Sequence, residues 1–117
     1  MSGRRSQRKG ANGERELAAV LRSYGFDIQR GGSLSFGEVP DLTGLPNVHI
    51  EVKRRETVNL SAALAQAAED AARFGDGLPA VFHRGNRECW RVTMTLADWM
   101  SLYRSAAGGD KDGPVGV

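Results

Sequence analysis

The spacing of apolar residues switches repeatedly between a helical and an extended period, and this limits what the chain can fold into more than any other feature. Between Ala11 and Tyr24 the apolar positions Leu17, Val20, Leu21 and Tyr24 form one helical stripe. Gly25 follows as a natural stop. Phe26-Asp27-Ile28-Gln29 then alternates apolar and polar residues, the pattern of a half-buried strand. A Gly- and Ser-rich loop over residues 31–40 leads to a short strand from Asp41 to Thr43, a turn over residues 44–47, and a strand from Val48 to Lys53. In that last strand Val48, Ile50 and Val52 face one side, and His49, Glu51 and Lys53 the other. From Leu60 to Phe74 the period is helical again, with Leu60, Ala63, Leu64, Ala67, Ala71 and Phe74 as the packing face. Gly75-Asp76-Gly77 ends that helix, and Leu78 to His83 has the length and apolarity of a strand. Gly85-Asn86 turns the chain into a second strand, Cys89 to Met94, of a hairpin. Thr95 can cap a last helix, from Leu96 to about Ala106, with Leu96, Trp99, Met100 and Tyr103 as its stripe. The predicted order is α-β-β-β-α-β-β-α, an α/β fold with a short mixed sheet flanked by helices.

A chain of 117 residues accommodates one such domain. Its expected extent is residues 11–106, with residues 1–10 a basic flexible arm and residues 107–117 an apolar-poor, disordered tail. Sixteen Lys and Arg against fourteen Asp and Glu give a net charge of only +2. The distribution says more than the total: Arg4, Arg5, Arg8 and Lys9 precede the first acid, and without those four charges the remainder is two units negative. The arm is therefore the expected nucleic-acid contact. The single cysteine, Cys89, excludes an intrachain disulfide, fits a reducing compartment, and is expected to be buried as a small apolar residue. Apolar runs fall short of the roughly 18–20 residues of a membrane span. The N-terminal segment has no apolar stretch of a secretory signal, so a cytoplasmic location without membrane contact is expected.

The residues that carry chemistry are Pro40-Asp41 and, ten positions after the aspartate, Glu51-Val52-Lys53. Residues two apart in a strand project from the same face, roughly 7 Å apart at their roots, so Glu51 and Lys53 share a site. A hairpin turning over residues 44–47 would bring Asp41 beside Glu51. Two close carboxylates repel unless a proton or cation lies between them. Mg²⁺ takes oxygen ligands from one or two carboxylates and leaves its other positions to water and phosphate. A third acid, Glu14, sits on the first helix before its apolar stripe. The chemistry implied is phosphodiester hydrolysis, with an ammonium at Lys53 to orient water or offset charge on phosphorus. Arg54 and Arg55 continue from the same strand, where guanidinium groups would meet a DNA backbone. His49 shares the Glu51 face and reads as a rim residue, while Gln66 and Asp70, one turn apart, either face the site or line an exposed helix surface. There is no cysteine cluster for zinc, no Walker loop and no Gly-x-Ser-x-Gly elbow.

Asp41, Glu51 and Lys53 match the Pro-Asp…Glu-x-Lys pattern of the restriction-endonuclease-like nuclease superfamily. Within it, Lys9-Gly10-Ala11-Asn12-Gly13-Glu14-Arg15-Glu16-Leu17, followed by Tyr24-Gly25-Phe26 and Arg30, resembles the N-terminal signature of archaeal-type Holliday junction resolvases. The likeness covers roughly residues 9–55. It implies a restriction-endonuclease-like core in which Glu14, Asp41, Glu51 and Lys53 are catalytic. Asp41, Glu51, Glu14 and the Val52 carbonyl would hold Mg²⁺, for which Mn²⁺ substitutes. Glu16 should point away from the site. A functional loop serine would be Ser33 or Ser35, and the expected DNA contacts are these two, the arm residues Arg4, Arg5, Arg8 and Lys9, and Arg15, Arg30, Arg54 and Arg55. Beyond Lys53, the alanine-rich helix, His83-Arg84 and the Trp90 strand look more like small phage-encoded nucleases of the superfamily. The implied partner is four-way or other branched DNA. Because a junction is resolved by two symmetric cuts and one chain offers one site, a homodimer is expected. A nuclease acting on duplex or flapped DNA, and a non-catalytic DNA-binding module, are the alternatives. The intact set of acids and lysine argues against the second.

Overall fold

The structure is a computed structural model that describes residues 2–31 and 39–108, with side chains from residue 11 onward. Helix α1 (Ser2–Ser23) buries Leu17 and Ala18 completely. It starts at Ser2, so the basic segment expected as an irregular arm has a helical backbone. Its Arg, Gln and Lys residues are good helix formers, and they extend a helix already anchored by packing. The side chains of Arg4, Arg5, Arg8 and Lys9 lie outside the described set.

After α1 the chain turns before it extends. Strand β1 is Gln29–Arg30, shorter and later than the alternation over residues 26–29 suggests. Ile28 donates its N–H to the Phe26 carbonyl at 3.1 Å, and its own carbonyl accepts from Arg22 Nε and Nη2 at 3.0 and 2.7 Å. With both groups taken, Ile28 cannot join a ladder, and Phe26 is left exposed. Strand β2 (Leu42–Thr43) pairs antiparallel with β1, Gln29 opposite Thr43. The expected hairpin between β2 and β3 (Val48–Arg54) does not form: β2 lies beside β3, but its ladder is with β1. Two features explain this. Ile28 and Leu42 are both fully buried in one cluster, and Gly44, at φ 126°, brings the turn hard against the backbone of Asp27 and Ile28.

Helix α2 (Leu60–Phe74) occupies the span its periodicity predicts. The Asn59 side chain accepts from the Ala62 N–H at 3.1 Å, and Gly75 closes the helix in the left-handed conformation. It is the crossover that makes β4 (Leu78–Arg84) parallel to β3, in register from Val48↔Leu78 to Arg54↔Arg84. Strand β5 (Arg91–Thr93) returns antiparallel to β4, giving the order β3-β4-β5. The two helices take opposite faces. Ile50, Ala80 and Phe82 pack with Leu17 and Ala18 of α1, whereas Val81 packs with Ala63 and Ala67 of α2. The side of β3 that carries His49, Glu51 and Lys53 therefore lies under the alanine-rich helix.

Helix α3 (Leu96–Ala107) is capped by Thr95, whose hydroxyl accepts from the Asp98 N–H at 3.2 Å. It buries no residue. Leu96, Trp99, Met100 and Tyr103 form the predicted stripe but stand exposed, with Trp99 and Tyr103 stacked at 5.2 Å. Cys89 is exposed rather than buried, because β5 begins only at Arg91 and leaves it in the loop. Among the described residues no helix is long and apolar enough to cross a membrane.

Candidate active site

Strand β3 places three polar side chains on the face toward α2. Lys53 Nζ lies 3.6 Å from Glu51 Oε2, so the predicted acid and base do share a site. A cleft of about 260 Å³ opens beside them, lined by Asp41, His49 and Glu51 and, from α2, by Gln66 and Asp70. A neighbouring cleft of about 210 Å³ takes in Lys53, Arg55, Asn59 and Gln66. Gln66 belongs to both, and its amide donates to the two Asp70 oxygens at 3.2 and 3.1 Å. The helix face carrying Gln66 and Asp70 thus overlooks the site. Alanines at positions 63 and 67 let the helix approach that closely.

The first helix delivers the other acid. Glu14 is half-buried, and Arg30 Nη2 stands 3.5 Å from its Oε1. Burial, the charge of Asp41 and a hydrogen bond between the two carboxyl groups push Glu14 up to about 7, against the pull of Arg30. Glu14 and Asp41, far apart in sequence, are thus close enough to compete for a proton. Glu16 points elsewhere, as expected: its carboxylate meets Arg54 Nε at 3.2 Å and Arg84 Nη1 at 2.8 Å. Gly13 makes this approach possible. A Cβ on it would stand 2.7 Å from Arg54 Cβ, so α1 sits directly on β3 with no room for a side chain.

The basic residues have divided roles. Arg54 is held by Glu16 and donates to Asn86 Oδ1 at 3.0 Å, in a separate cleft with Arg55 on its rim. Arg15 is exposed and donates to Asn12 Oδ1 at 3.1 Å, and Arg30 is turned inward to Glu14. Val52 is half-buried in β3, opposite Phe82. Ser33 and Ser35 lie outside the described residues.

One residue that reads as rim is in the interior. His49 is 2 % exposed, and its Nδ1 lies 2.9 Å from both oxygens of Asp76. Its Nε2 faces Glu51 Oε1 at 3.5 Å without forming a hydrogen bond. Burial pulls the imidazole down, and the contacts with Glu51 and Asp76 more than reverse this, leaving it above its usual value. The alternation of β3 already puts His49 on the Glu51 face. Its partner was hidden because Gly75-Asp76-Gly77 reads only as a helix stop.

Glu14 and Asp41 stand close enough to compete for a proton, Glu51 lines the same cleft as Asp41, and a hard divalent cation with its preference for carboxylate oxygens would relieve that repulsion. No curated protein matches the chain. The family model of the archaeal Holliday junction resolvases matches residues 5–100. That match runs well beyond Lys53, through the helix and hairpin for which a likeness to phage-encoded nucleases was expected, and the α/β architecture is consistent with a restriction-endonuclease-like fold. With most of its length covered, and the Glu14, Asp41, Glu51 and Lys53 positions inside the match, the chain belongs to the archaeal Holliday junction resolvase family, nucleases that act on branched DNA.

Proposed function

We propose that the chain is a Mg²⁺-dependent endonuclease that cuts four-way DNA junctions as a homodimer, with Mn²⁺ able to substitute. The observation that carries this reading is the chain of neighbouring acids from separate segments, Glu14 of α1 against Asp41 just before β2, and Asp41 on one cleft with Glu51 of β3, with Lys53 next to Glu51. Asp41, Glu51, Glu14 and the Val52 carbonyl would hold the metal. When bound, the ion supplies an acidified water and offsets charge developing on phosphorus. Lys53 orients the attacking water through its ammonium and adds to that offset. Arg30, by pairing with Glu14, keeps the helix carboxyl turned toward Asp41. The phosphate backbone is met by Arg15 and Arg55, by Arg4, Arg5, Arg8 and Lys9, and by Ser33 or Ser35, while Arg54 acts from its tie to Glu16.

Among the described residues one chain has one such constellation, and a junction needs two cuts, so two subunits act together. The exposed stripe of α3, with Val92 of β5 also exposed nearby in sequence, supports self-association. The test is cleavage of a synthetic four-way junction against a duplex of equal sequence, with and without Mg²⁺. Junction cleavage that vanishes on chelation and in Asp41→Ala is expected. Cleavage that survives either change overturns the mechanism, and equal cutting of duplex overturns junction selectivity.

A further inference from the structure

Among the described residues, one group of side chains brings its ligand atoms within 4.8 Å of one another: His49, Glu51 and Asp70. Acids near a nuclease site are not by themselves a metal site. His49 supplies the independent observation. Its side chain is almost wholly buried, its Nδ1 is engaged by Asp76, and its Nε2 is aimed at Glu51 with no hydrogen-bond partner. An imidazole whose Nδ1–H is tied to a carboxylate presents a lone pair at Nε2, which is how metal-bound histidines are commonly oriented. The second carboxylate is braced as well, by the two bonds from Gln66 to Asp70.

From this arrangement we infer that His49 Nε2, Glu51 Oε1 and the Asp70 carboxylate form a binding site for a divalent transition metal of the Zn²⁺ type, with Asp76 and Gln66 as the residues that orient the ligands. An imidazole nitrogen suits Zn²⁺ or Co²⁺ and is not a ligand that Mg²⁺ seeks. Spacing agrees: bonds of about 2.0–2.2 Å meeting at a tetrahedral angle separate two donor atoms by about 3.4 Å, and His49 Nε2 stands 3.5 Å from Glu51 Oε1. Lys53 approaches the other oxygen, Oε2, so Glu51 can serve both neighbours. Of the cations nearby, the Arg73 guanidinium lies over the Phe74 ring at 4.9 Å on the wall of the same cleft. Asp70, half-buried on α2, closes the third side, and water would complete the shell. This site goes beyond the nuclease reading and shares only Glu51 with it. Its occupation would take Glu51 from the proposed Mg²⁺ set, so a Zn²⁺-type ion would compete with Mg²⁺ for that residue.

The test uses the full chain, stripped of metal and titrated with Co²⁺, whose visible absorption intensifies sharply when it leaves octahedral water for a low-symmetry site. The sequence has two histidines, so the assignment is clean. An intense spectrum from one bound Co²⁺, displaced by Zn²⁺ and unmoved by millimolar Mg²⁺, is expected for the wild type, H83Q and D41N. H49Q should lose the spectrum. D70N, on the helix surface and safe for folding, should weaken Co²⁺ at least ten-fold, and D76N by about 10–100-fold. A wild-type spectrum no different from the aqueous ion, loss in H83Q, or wild-type affinity in D70N would overturn the site. Since none of these readings involves DNA, a protein that cuts junctions without binding Co²⁺ refutes this site alone, and one that binds Co²⁺ without cutting refutes only the nuclease.

Discussion

Lys53 sits where a small change should separate chemistry from stability. Its ion pair with Glu51 is 3.6 Å long and partly exposed, so it adds less than about 1 kcal/mol to folding. Under the proposed mechanism its ammonium acts on the reacting water and phosphate, and loss of such a group costs about 10²–10³-fold in rate. Lys53→Met is expected to lower single-turnover junction cleavage by that factor with a nearly unchanged melting temperature. His83 offers a test of a different kind. Burial, and then the neighbouring Arg91, hold its imidazole below the usual 6.5, with Glu88 opposing. The unfolded chain therefore takes up this proton first as pH falls. The contribution to stability is complete above pH 6.5 and is lost as pH drops below it toward the folded-state value. Melting curves across this range should be flatter in H83Q than in the wild type, and equal slopes would show that His83 contributes nothing. At this scale the closeness of Glu51 and Lys53 was legible because residues two apart in a strand share a face, whereas Glu14 stood out only through the resemblance of its Glu-Arg-Glu block. The burial of His49 was not, since strand alternation says which face a residue takes and not what covers that face.

At the scale of elements, Gly13 decides how near α1 can come to β3. Replacing it with alanine brings two opposed effects. Alanine favours the helix by about 1 kcal/mol, and overpacking against Arg54 Cβ costs about 1–3 kcal/mol, because that atom is fixed to the strand. The overpacking should win. Gly13→Ala is expected to melt lower and to lose cleavage through displacement of Glu14, and a variant as stable and active as the wild type would contradict the close packing. The two long helices and the paired strands β3 and β4 were readable because each has enough residues to show its period. Strand β2 falls where a short strand was expected, but the pairing of β1 and β2, at two residues each, was not readable. Which partner they choose depends on where Ile28 and Leu42 are buried and on the Arg22 bonds to the Ile28 carbonyl, both tertiary facts.

At the scale of the whole molecule, the net charge of +2 conceals an uneven distribution, with the basic excess in the sequence at the start of α1 and three acids, Asp41, Glu51 and Asp70, lining one cleft. A bound cation would make the DNA-facing side more positive than the formal count. Helix α3 is the other global feature, an amphipathic element none of whose residues is buried among the described residues. If that side joins two subunits, Trp99→Glu combined with Tyr103→Glu should halve the sedimentation mass and leave the fold intact. A wild type that sediments as a monomer would dismiss the dimer. The parallel pairing of β3 with β4 has a consequence for how the protein comes into being. All four proposed nuclease residues lie within the first 53 positions, yet the strand that holds Glu51 and Lys53 finds its ladder partner only at residues 78–84. On the ribosome the complete motif therefore emerges well before the strand that can seat it. A nascent chain stalled so that β3 has cleared the exit tunnel while β4 is still inside it should show no protection from protease at β3, and protection should arise only once β4 has left the tunnel. The timing of activity in the cell is thus set by translation of a segment that contains none of the proposed catalytic residues.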